Sequence, residues 1–378
     1  MIAYLAEWTR KKDSAFRSIA LAAGGGVRLP FIGLSFRPFP ETAARARAAL
    51  AVAKRQPNGA LGRALKYRLI WAQYNWSRRY FTRHPDRMAV CWNGLTGSRR
   101  VFMQGARDAG AATLFVELAP FPGRITLDPA GVNAQSALPR DPGFYRGWAA
   151  GDPSRQGDDW RALGKNLTAR VSRRQDVGQG DAAALSEAGD FLFCPLQVPN
   201  DSQITLFGGW TGSVAGMLDA LAEAAAALPE GWHIRLKEHP SARASLAAPL
   251  SAAIEKAQGR LVLDNRTDTF AQVAASKGVI TINSSVGLQA FFHDQPVIVL
   301  GQAFFALPGL VTVADSATAL RAALADPGAL GFDPGLRGAF MTYLDRVYYP
   351  HAETAPDGSV TVDRQAAAGK LRAARAQG

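Results

Sequence analysis

The sequence predicts an α/β protein made of two units, each built on a parallel β-sheet covered by helices. Three observations lead to this fold class. The chain has 378 residues, which is more than one hydrophobic core usually supports. In two parts of the chain, short apolar runs alternate with helical stretches of about a dozen residues. The runs are continuously apolar, which is typical of strands that are buried on both faces of a sheet.

The first part of the chain contains three such runs and three helical stretches. We expect strands at 31–36, 88–92 and 113–118, and helices at 41–55, 62–84 and 98–109. From about residue 128 to residue 187 the periodicity is weak and Pro, Gly and Arg are frequent. We therefore expect a loop-rich segment there that ends in a linker.

The second part shows a longer and cleaner alternation. We expect strands at 191–198, 233–237, 261–263, 279–282, 297–300 and 311–313, and helices at 211–227, 246–257, 270–276, 286–293 and 317–325. The pattern predicts an N-terminal Rossmann-like domain at 1–187, a C-terminal Rossmann-like domain at 188–348 and a polar tail with a short basic helix at 349–378.

Composition limits the location and the partners of the chain. With 43 basic and 31 acidic residues the formal net charge is +12, which favours nucleic acid, an anionic membrane or an acidic small molecule. The sequence contains no run of about 18 apolar residues, so no transmembrane helix is predicted. At the N-terminus the charged residues follow the apolar ones, which is not the order of a secretory signal. Cys91 and Cys194 lie in or beside apolar runs and are expected to be buried thiols. We expect a cytoplasmic protein.

Polar side chains follow three strands of the second part. They are Gln197 and Asp201, then Lys237, Glu238, His239 and Pro240, and finally Asn283, Ser284 and Ser285. Because the carboxyl ends of parallel strands share one edge of a sheet, we expect these groups to line a ligand site that binds an anion. Taken alone, each group is also explained by helix capping, an Asx-turn or a solvated turn. In the first part, Glu117 ends the run "TLFVE" at a strand end of its own.

Four motifs in a fixed order carry a resemblance to a known family. The segments "VELAPFPGRITLDPAGVN", "PLQVPNDSQI", "RLKEHP" and "TINSSVGLQAFFHDQPVIVLG" are similar to those of the bacterial capsule polysaccharide biosynthesis family, which includes β-Kdo transferases. The resemblance spans residues 88–301. The His-Pro and Ser-Ser elements also resemble those of bacterial sialyltransferases.

The resemblance implies a fold and an activity. The fold would be two Rossmann-like domains facing each other across a cleft (GT-B type), and the donor would be CMP-Kdo. His239-Pro240 and Ser284-Ser285 would cradle CMP, Asp201 would be the nucleophile of a retaining transfer, and Glu117 would be the acid/base. Gln197, Lys237, Asn283 and Gly287 complete the expected donor-binding set. The acceptor would be a lipid-linked or other glycan, and the single phosphodiester charge of a CMP-sugar calls for no metal ion or other cofactor.

Two alternatives stay open at this point. The donor could be another CMP- or nucleotide-activated sugar, such as a sialic acid. The chain could also be a non-catalytic scaffold of capsule assembly, since it reads Glu117-Leu118-Ala119 where many relatives have an acidic pair before glycine. A nucleic-acid partner is not expected, because most aromatic residues lie inside apolar runs and no nucleic-acid-binding module is present.

Two basic segments have no role in that scheme. Helix 62–84 combines arginines with an apolar stripe at Leu65, Leu69, Ala72, Trp76 and Tyr80, which we expect to pack on the first sheet. Its arginines could contact an anionic membrane, which would make the protein peripheral at the inner face of the inner membrane. The second segment, 161–174, contains Arg161, Lys165, Arg170, Arg173 and Arg174, and its pattern assigns no partner.

Overall fold

The structure is a computed structural model of the chain. It describes residues 1–169, 174–180, 182–242 and 245–377, without the side chain of Ala184. Arg170 and Arg173 of the second basic segment therefore lie outside the described residues. The chain forms two compact units. The first comprises Met1–Leu138 and Leu344–Gly378, and the second comprises Pro139–Tyr343.

The first unit contains a five-stranded sheet in the order β2-β1-β3-β4-β5. Its first elements are β1 (Ile2–Leu5), α1 (Arg10–Ala22), β2 (Gly26–Leu29), α2 (Thr42–Ala51), α3 (Gly59–Arg83), β3 (Met88–Trp92), α4 (Gly97–Asp108), β4 (Thr113–Leu118) and β5 (Ile125–Asp128). The first four strands are parallel, and β5 returns antiparallel to β4. The predicted strands at 88–92 and 113–118 are confirmed.

The strand predicted at 31–36 is wrong, and two strands closer to the N-terminus replace it. Residues 31–36 instead run across α3, where the backbone N–H of Ser35 donates to the carbonyl of Ala72 at 3.0 Å. Gly33 lies so close to the helix that a Cβ there would be 2.1 Å from the ring of Trp76. The segment thus contacts the helix through Gly33 and Ser35, while its apolar side chains Ile32, Leu34 and Phe36 are exposed. The fully buried β1 lies in a stretch that is too short to stand out.

Helix α3 packs on α2 and α4, and the predicted stripe is buried only in part: Ala72 is buried and the Trp76 ring stacks on Phe102 of α4. Its buried side chains include Ile70, Tyr74, Ser77 and Phe81, and they face α4, where Ser77 donates to the carbonyl of Phe102 at 2.6 Å. Leu65, by contrast, is exposed. Although α3 is 25 residues long, no helix in the described residues has both the length and the apolar character needed to cross a bilayer.

The second unit contains a six-stranded sheet in the order β11-β10-β9-β6-β7-β8, and all of its strands are parallel. Its elements are α5 (Pro142–Ala150), β6 (Phe191–Pro195), α6 (Ser202–Phe207), α7 (Val214–Ala224), β7 (His233–Lys237), α8 (Ala247–Lys256), β8 (Leu261–Leu263), α9 (Thr269–Ala275), β9 (Val279–Thr281), α10 (Ser285–Gln289), β10 (Val297–Val299), β11 (Thr312–Val313), α11 (Ala317–Ala325) and α12 (Pro334–Tyr343). Each predicted strand and helix of this part is present within a few residues. The predicted α/β class is confirmed, with a second sheet that is fully parallel and a first sheet that is parallel except for β5.

The units divide the chain at 138/139 and 343/344, whereas the sequence placed boundaries at 187/188 and 348/349. The segment after residue 138 joins the second unit because α5 packs on α12. The ring of Tyr145 lies 4.9 Å from that of Phe340 and 5.4 Å from that of Tyr343, and its hydroxyl donates to the carbonyl of Pro139. The two ring contacts link residues almost two hundred positions apart, which a local pattern does not show.

The predicted tail at 349–378 is an integral part of the first unit. It contains β12 (Ala352–Thr354) and β13 (Val360–Val362), which form an antiparallel hairpin, and α13 (Arg364–Ala376). Ser14 and Ser18 of α1 accept hydrogen bonds from the backbone N–H groups of Val360 and Val362. Because α13 also buries an apolar face against the first sheet, the C-terminal segment completes the core of this unit.

We predict that Tyr145→Ala lowers the free energy of unfolding of the second unit by about 3–5 kcal/mol, the usual cost of removing a fully buried aromatic side chain. Its neighbour Phe144 is partly exposed, so Phe144→Ala is a matched control with a smaller expected loss. Urea unfolding followed by tryptophan fluorescence measures both. Equal losses for the two variants would contradict the assignment of α5 to the core of the second unit.

Candidate functional site

The order of the second sheet places three loops side by side. From β6 the chain continues to β7 and β8 on one side of the sheet, and it then crosses to β9 on the other side of β6. The strand order therefore reverses between β6 and β9. In parallel α/β sheets, ligands bind outside the carboxyl ends of the strands at such a reversal. The predicted residues of the second part follow β6, β7 and β9 and thus lie on this edge.

Two amide side chains join the strands on either side of the reversal. Gln197, after β6, donates from Nε2 to Oδ1 of Asn283 at 2.9 Å, and its Oε1 accepts from the backbone N–H of Asn283 at 3.2 Å. The Nδ2 of Asn283 donates to the carbonyls of Gln203 and Phe207 in α6. The hydrogen bonds of both amide side chains thus hold β6, β9 and α6 together at the carboxyl edge of the sheet.

Ser284 and Ser285 follow Asn283 in the sequence and form the N-terminus of α10. The Oγ of Ser284 accepts the backbone N–H of Val286 at 3.2 Å, so Ser284 caps the helix, and its hydroxyl hydrogen can still be donated to a ligand. Ser285 is exposed. Gly287 allows the close approach of α10 to the sheet, because a Cβ there would lie 2.9 Å from Cγ2 of Thr281. The role of Gly287 is therefore close packing.

His239 lies after β7 in a turn that fixes its tautomer. Its Nδ1 accepts the backbone N–H of Ser241 at 3.0 Å. A neutral ring with an accepting Nδ1 carries its proton on Nε2, so Nε2–H is the donor that His239 presents. Pro240 is buried behind it and stiffens the turn.

Lys237 and Glu238, in the same motif, are engaged inside the protein. Lys237 is 2% exposed, and its ammonium group donates to the carbonyls of Gly178, Asn265 and Thr267 at 2.6–3.2 Å. Burial lowers the pKa of Lys237, although the charges of Asp264 and Asp268 act in the opposite direction. All three N–H donors of Lys237 are therefore used to hold two loops, which corrects its predicted role in donor binding.

Glu238 is turned toward the same loops as Lys237. Its carboxylate pairs with Arg174 at 2.8 Å and accepts from Nδ2 of Asn265 at 2.9 Å. Lys237 and Glu238 of the Lys-Glu-His motif thus hold the loops together, while His239 lies in the turn that follows β7.

Asp201 caps α6 in the loop after β6. Its Oδ1 accepts the backbone N–H of Gln203 at 2.9 Å, as an N-cap side chain does. The Asx-turn that the sequence allowed is therefore present. One carboxylate oxygen is oriented by this bond, and the other is its candidate nucleophilic atom.

Glu117 ends β4 in the first unit, where two side chains of the neighbouring strand end hold it. Nε1 of Trp92 donates to one carboxylate oxygen at 2.9 Å, and Nδ2 of Asn93 donates to the other at 3.1 Å. Burial raises the pKa of Glu117, while the hydrogen bonds from Asn93 and Trp92 and the charge of Lys12 partly offset that effect. A carboxyl group that is held in place and has a raised pKa suits acid/base chemistry.

Three charged residues beside Glu117 were missed by the sequence analysis. Glu7 follows β1 and is buried, and it pairs with Arg99 at 2.5 Å and with Lys12 at 3.4 Å. The Nζ of Lys12 lies 5.3 Å from the centre of the Trp92 ring, so this ion cluster adjoins the indole that binds Glu117. The signal that could have revealed it was a carboxylate two residues after the buried run "IAYL".

The structure thus brings Gln197, Asp201, His239 and the Asn283–Ser285 turn to one edge of the second sheet. Glu117 lies in the first unit, so its predicted approach to Asp201 stays a prediction. In the described residues, no three His, Cys, Asp or Glu side chains cluster as metal ligands would. Cys91 and Cys194 are buried free thiols, and burial raises the pKa of each to about 12.

Comparison with known sequences identifies relatives of the chain. The profile described as "Capsule polysaccharide biosynthesis protein" matches residues 155–330. Protein FixF of Sinorhizobium fredii is 30% identical in an alignment of 304 residues that covers 76% of this chain and 70% of FixF. The capsule polysaccharide export protein KpsS of Escherichia coli is 25% identical in an alignment of 234 residues that covers 49% of this chain and 59% of KpsS.

Among solved structures, the β-Kdo 2,7 transferase KpsC of Thermosulfurimonas dismutans is similar over 80% of this chain and 89% of its own. The TM-score of 0.46 and the 14% identity are too low to carry an argument. The profile match and the FixF alignment instead confirm the resemblance found in the motifs. This chain belongs to the capsule polysaccharide biosynthesis family.

Proposed function

We propose that this chain is a cytoplasmic glycosyltransferase that moves the acidic sugar Kdo from CMP-Kdo to a lipid-linked or other glycan acceptor. Membership in the capsule polysaccharide biosynthesis family supports the general role. The observation that carries the proposal is the edge of the second sheet, where Asp201, His239 and Ser284 follow three adjacent strands at the reversal of strand order.

The hydrogen-bond donors of the protein at this edge suit a CMP-sugar as the substrate. A CMP-sugar carries one phosphodiester charge, whereas a nucleoside diphosphate sugar carries a pyrophosphate. Nε2–H of His239 and the hydroxyl groups of Ser284 and Ser285 are hydrogen-bond donors that would stabilise a single phosphate charge without a metal ion. The edge would thus bind the leaving group and stabilise it as the bond to the sugar breaks.

The proposed reaction has two steps and retains the anomeric configuration. The carboxylate of Asp201 attacks the anomeric carbon, the bond from that carbon to the phosphate oxygen breaks, and CMP leaves with the electron pair. The acceptor hydroxyl then attacks the same carbon while Glu117 takes its proton, and the ester to Asp201 breaks. The hydrogen bonds from Trp92 and Asn93 would hold Glu117 for this transfer.

We predict that Asp201→Asn and Glu117→Gln each lower transfer by at least about 10²–10⁴-fold, the usual contribution of a positioned acid or base. Asparagine is as good an N-cap as aspartate, so Asp201→Asn should leave α6 intact. The assay is incubation with CMP-Kdo and a lipid acceptor mimic, followed by measurement of product mass and released CMP.

Asp268→Asn is the matched control for this assay, since Asp268 caps α9 in the same unit. It should keep wild-type activity. Wild-type activity in the Asp201 and Glu117 variants would contradict the assigned roles. A wild-type chain that binds CMP but forms no product with several acceptors would favour a scaffold.

We predict that His239→Ala weakens CMP binding by about 10- to 100-fold, because it removes a hydrogen bond to a charged group. Lys237→Met should instead leave CMP affinity within about twofold and lower stability by about 1–3 kcal/mol, because it leaves buried carbonyls without their donor. Calorimetry with CMP, and with UDP as comparison, measures affinity, and thermal unfolding measures stability. If Lys237→Met weakened CMP binding and His239→Ala did not, Lys237 and not His239 would be the residue that binds CMP.

We predict that the indole N–H resonance of Trp92 titrates with Glu117 at a pH above the ordinary range of a glutamic acid. Lys12→Met should raise that midpoint further, because it removes a nearby cation that favours the carboxylate, and Lys12→Arg should not. Two-dimensional NMR of the indole groups measures the midpoint, and Trp92→Phe assigns the resonance. Lys11→Met is the control, and a midpoint that is unchanged in Lys12→Met would exclude this electrostatic coupling.

A further inference from the structure

The positive charge of the chain is concentrated in one segment. Residues 30–84 contain eleven Lys or Arg residues and a single acidic residue, Glu41, while the whole chain has a net charge of +12. Nearly the whole excess thus lies in the loop before α2, in α2 and in α3. Only Arg45 and Arg78 have an acidic partner among the described residues, Asp108 and Glu41 respectively.

The other nine cations of this segment stand without an acidic partner in the part of the chain that the structure describes. They are Arg37, Arg47, Lys54, Arg55, Arg63, Lys66, Arg68, Arg79 and Arg83, and most of them are exposed. Burial and the nearby charge of Arg55 both lower the pKa of Lys66. Cations that lie close together without acidic neighbours repel one another, and an anionic partner relieves that repulsion.

The same segment exposes large apolar side chains on a loop that is held in place. Ile32, Leu34 and Phe36 point outward and are 53%, 49% and 74% exposed. The intervening residues anchor the loop, since Gly33 lies against Trp76 and Ser35 is bonded to α3 by its backbone and its hydroxyl. The outward side chains are therefore presented by a fixed backbone, with Arg37 next to them.

The apolar surface extends onto the first turns of α3. Leu61 and Leu65 are four residues apart on one face of the helix, and both are largely exposed. That row continues toward Ala72 and Trp76, where the loop crosses the helix. Arg63 and Arg68 flank it. The loop and the first turns of α3 thus each expose apolar side chains that have cations beside them in the sequence.

We propose that this surface, formed by Ile32, Leu34, Phe36, Arg37 and the 61–68 turns of α3, docks on an anionic lipid bilayer. Its aliphatic side chains would enter the interface while the arginines contact the negatively charged headgroups. A nucleic acid would be matched by aromatic platforms for base stacking, whereas the exposed side chains here are mainly aliphatic. The charge of the segment would also repel a second copy of itself.

Flotation of the purified full chain with vesicles tests the proposal. We expect binding to phosphatidylcholine vesicles that contain phosphatidylglycerol, and little binding to phosphatidylcholine alone. The triple variant Ile32→Ser, Leu34→Ser, Phe36→Ser should weaken binding by about tenfold or more. Charge reversal at Arg37, Arg63 and Arg68 should weaken it by about fivefold or more per residue, with the loss increasing at low salt.

Two control variants change similar side chains elsewhere. Leu21→Ser alters an exposed leucine of α1, and Arg321→Glu reverses an exposed charge of α11, so both should bind the vesicles like the wild type. Unchanged thermal unfolding shows that each variant is folded. The proposal is wrong if the protein binds neither kind of vesicle, or if the surface variants bind vesicles as the controls do. It is also wrong if the triple variant keeps vesicle binding and instead loses self-association or DNA binding.

Discussion

The parallel pairing of β6 with β7 on one side and β9 on the other is the constraint on which the candidate site depends. Because all three strands run in the same direction, their carboxyl ends reach one edge. The hydrogen bond between Gln197 and Asn283 then joins the loops across the reversal of strand order. These pairings make neighbours of Gln197 and Asn283, which are more than eighty positions apart in the sequence. They also bring the helix-capping side chains of Asp201 and Ser284 to the edge where a ligand would bind.

Burial decides which polar residues on that edge can serve a ligand. A buried ammonium group must be fully hydrogen-bonded, because the loss of its hydration is costly. Lys237 meets that requirement with three carbonyl acceptors, and Glu238 does so with Arg174 and Asn265. The charged residues of the motif therefore stabilise the loops behind the site. His239 differs from them, because its Nδ1 is oriented by the backbone N–H of Ser241 in the turn after β7.

The first unit concentrates its charge in two different ways. Beside Glu117, the buried Glu7 pairs with Lys12 and Arg99, and this compact cluster has a net charge of +1 that favours the ionised form of the Glu117 carboxyl group. Around the loop before α2 and along α3, cations are exposed and largely unpaired, which suits an extended anionic partner. The first unit thus contains both a carboxyl group with a defined environment, Glu117, and an extended surface of exposed cations.

The sequence by itself determined the fold class, most elements of the second unit and the loops that carry the polar residues. Continuous apolar runs and helix signals are local properties, so β4, β7 and β8 could be placed to the residue. Only the tertiary structure decided that 31–36 packs on α3, that α5 joins the second unit and that Lys237 is engaged by carbonyls. Each of these depends on contacts between residues far apart in the chain, and the energy of burying a side chain is set by those partners and not by its neighbours in sequence.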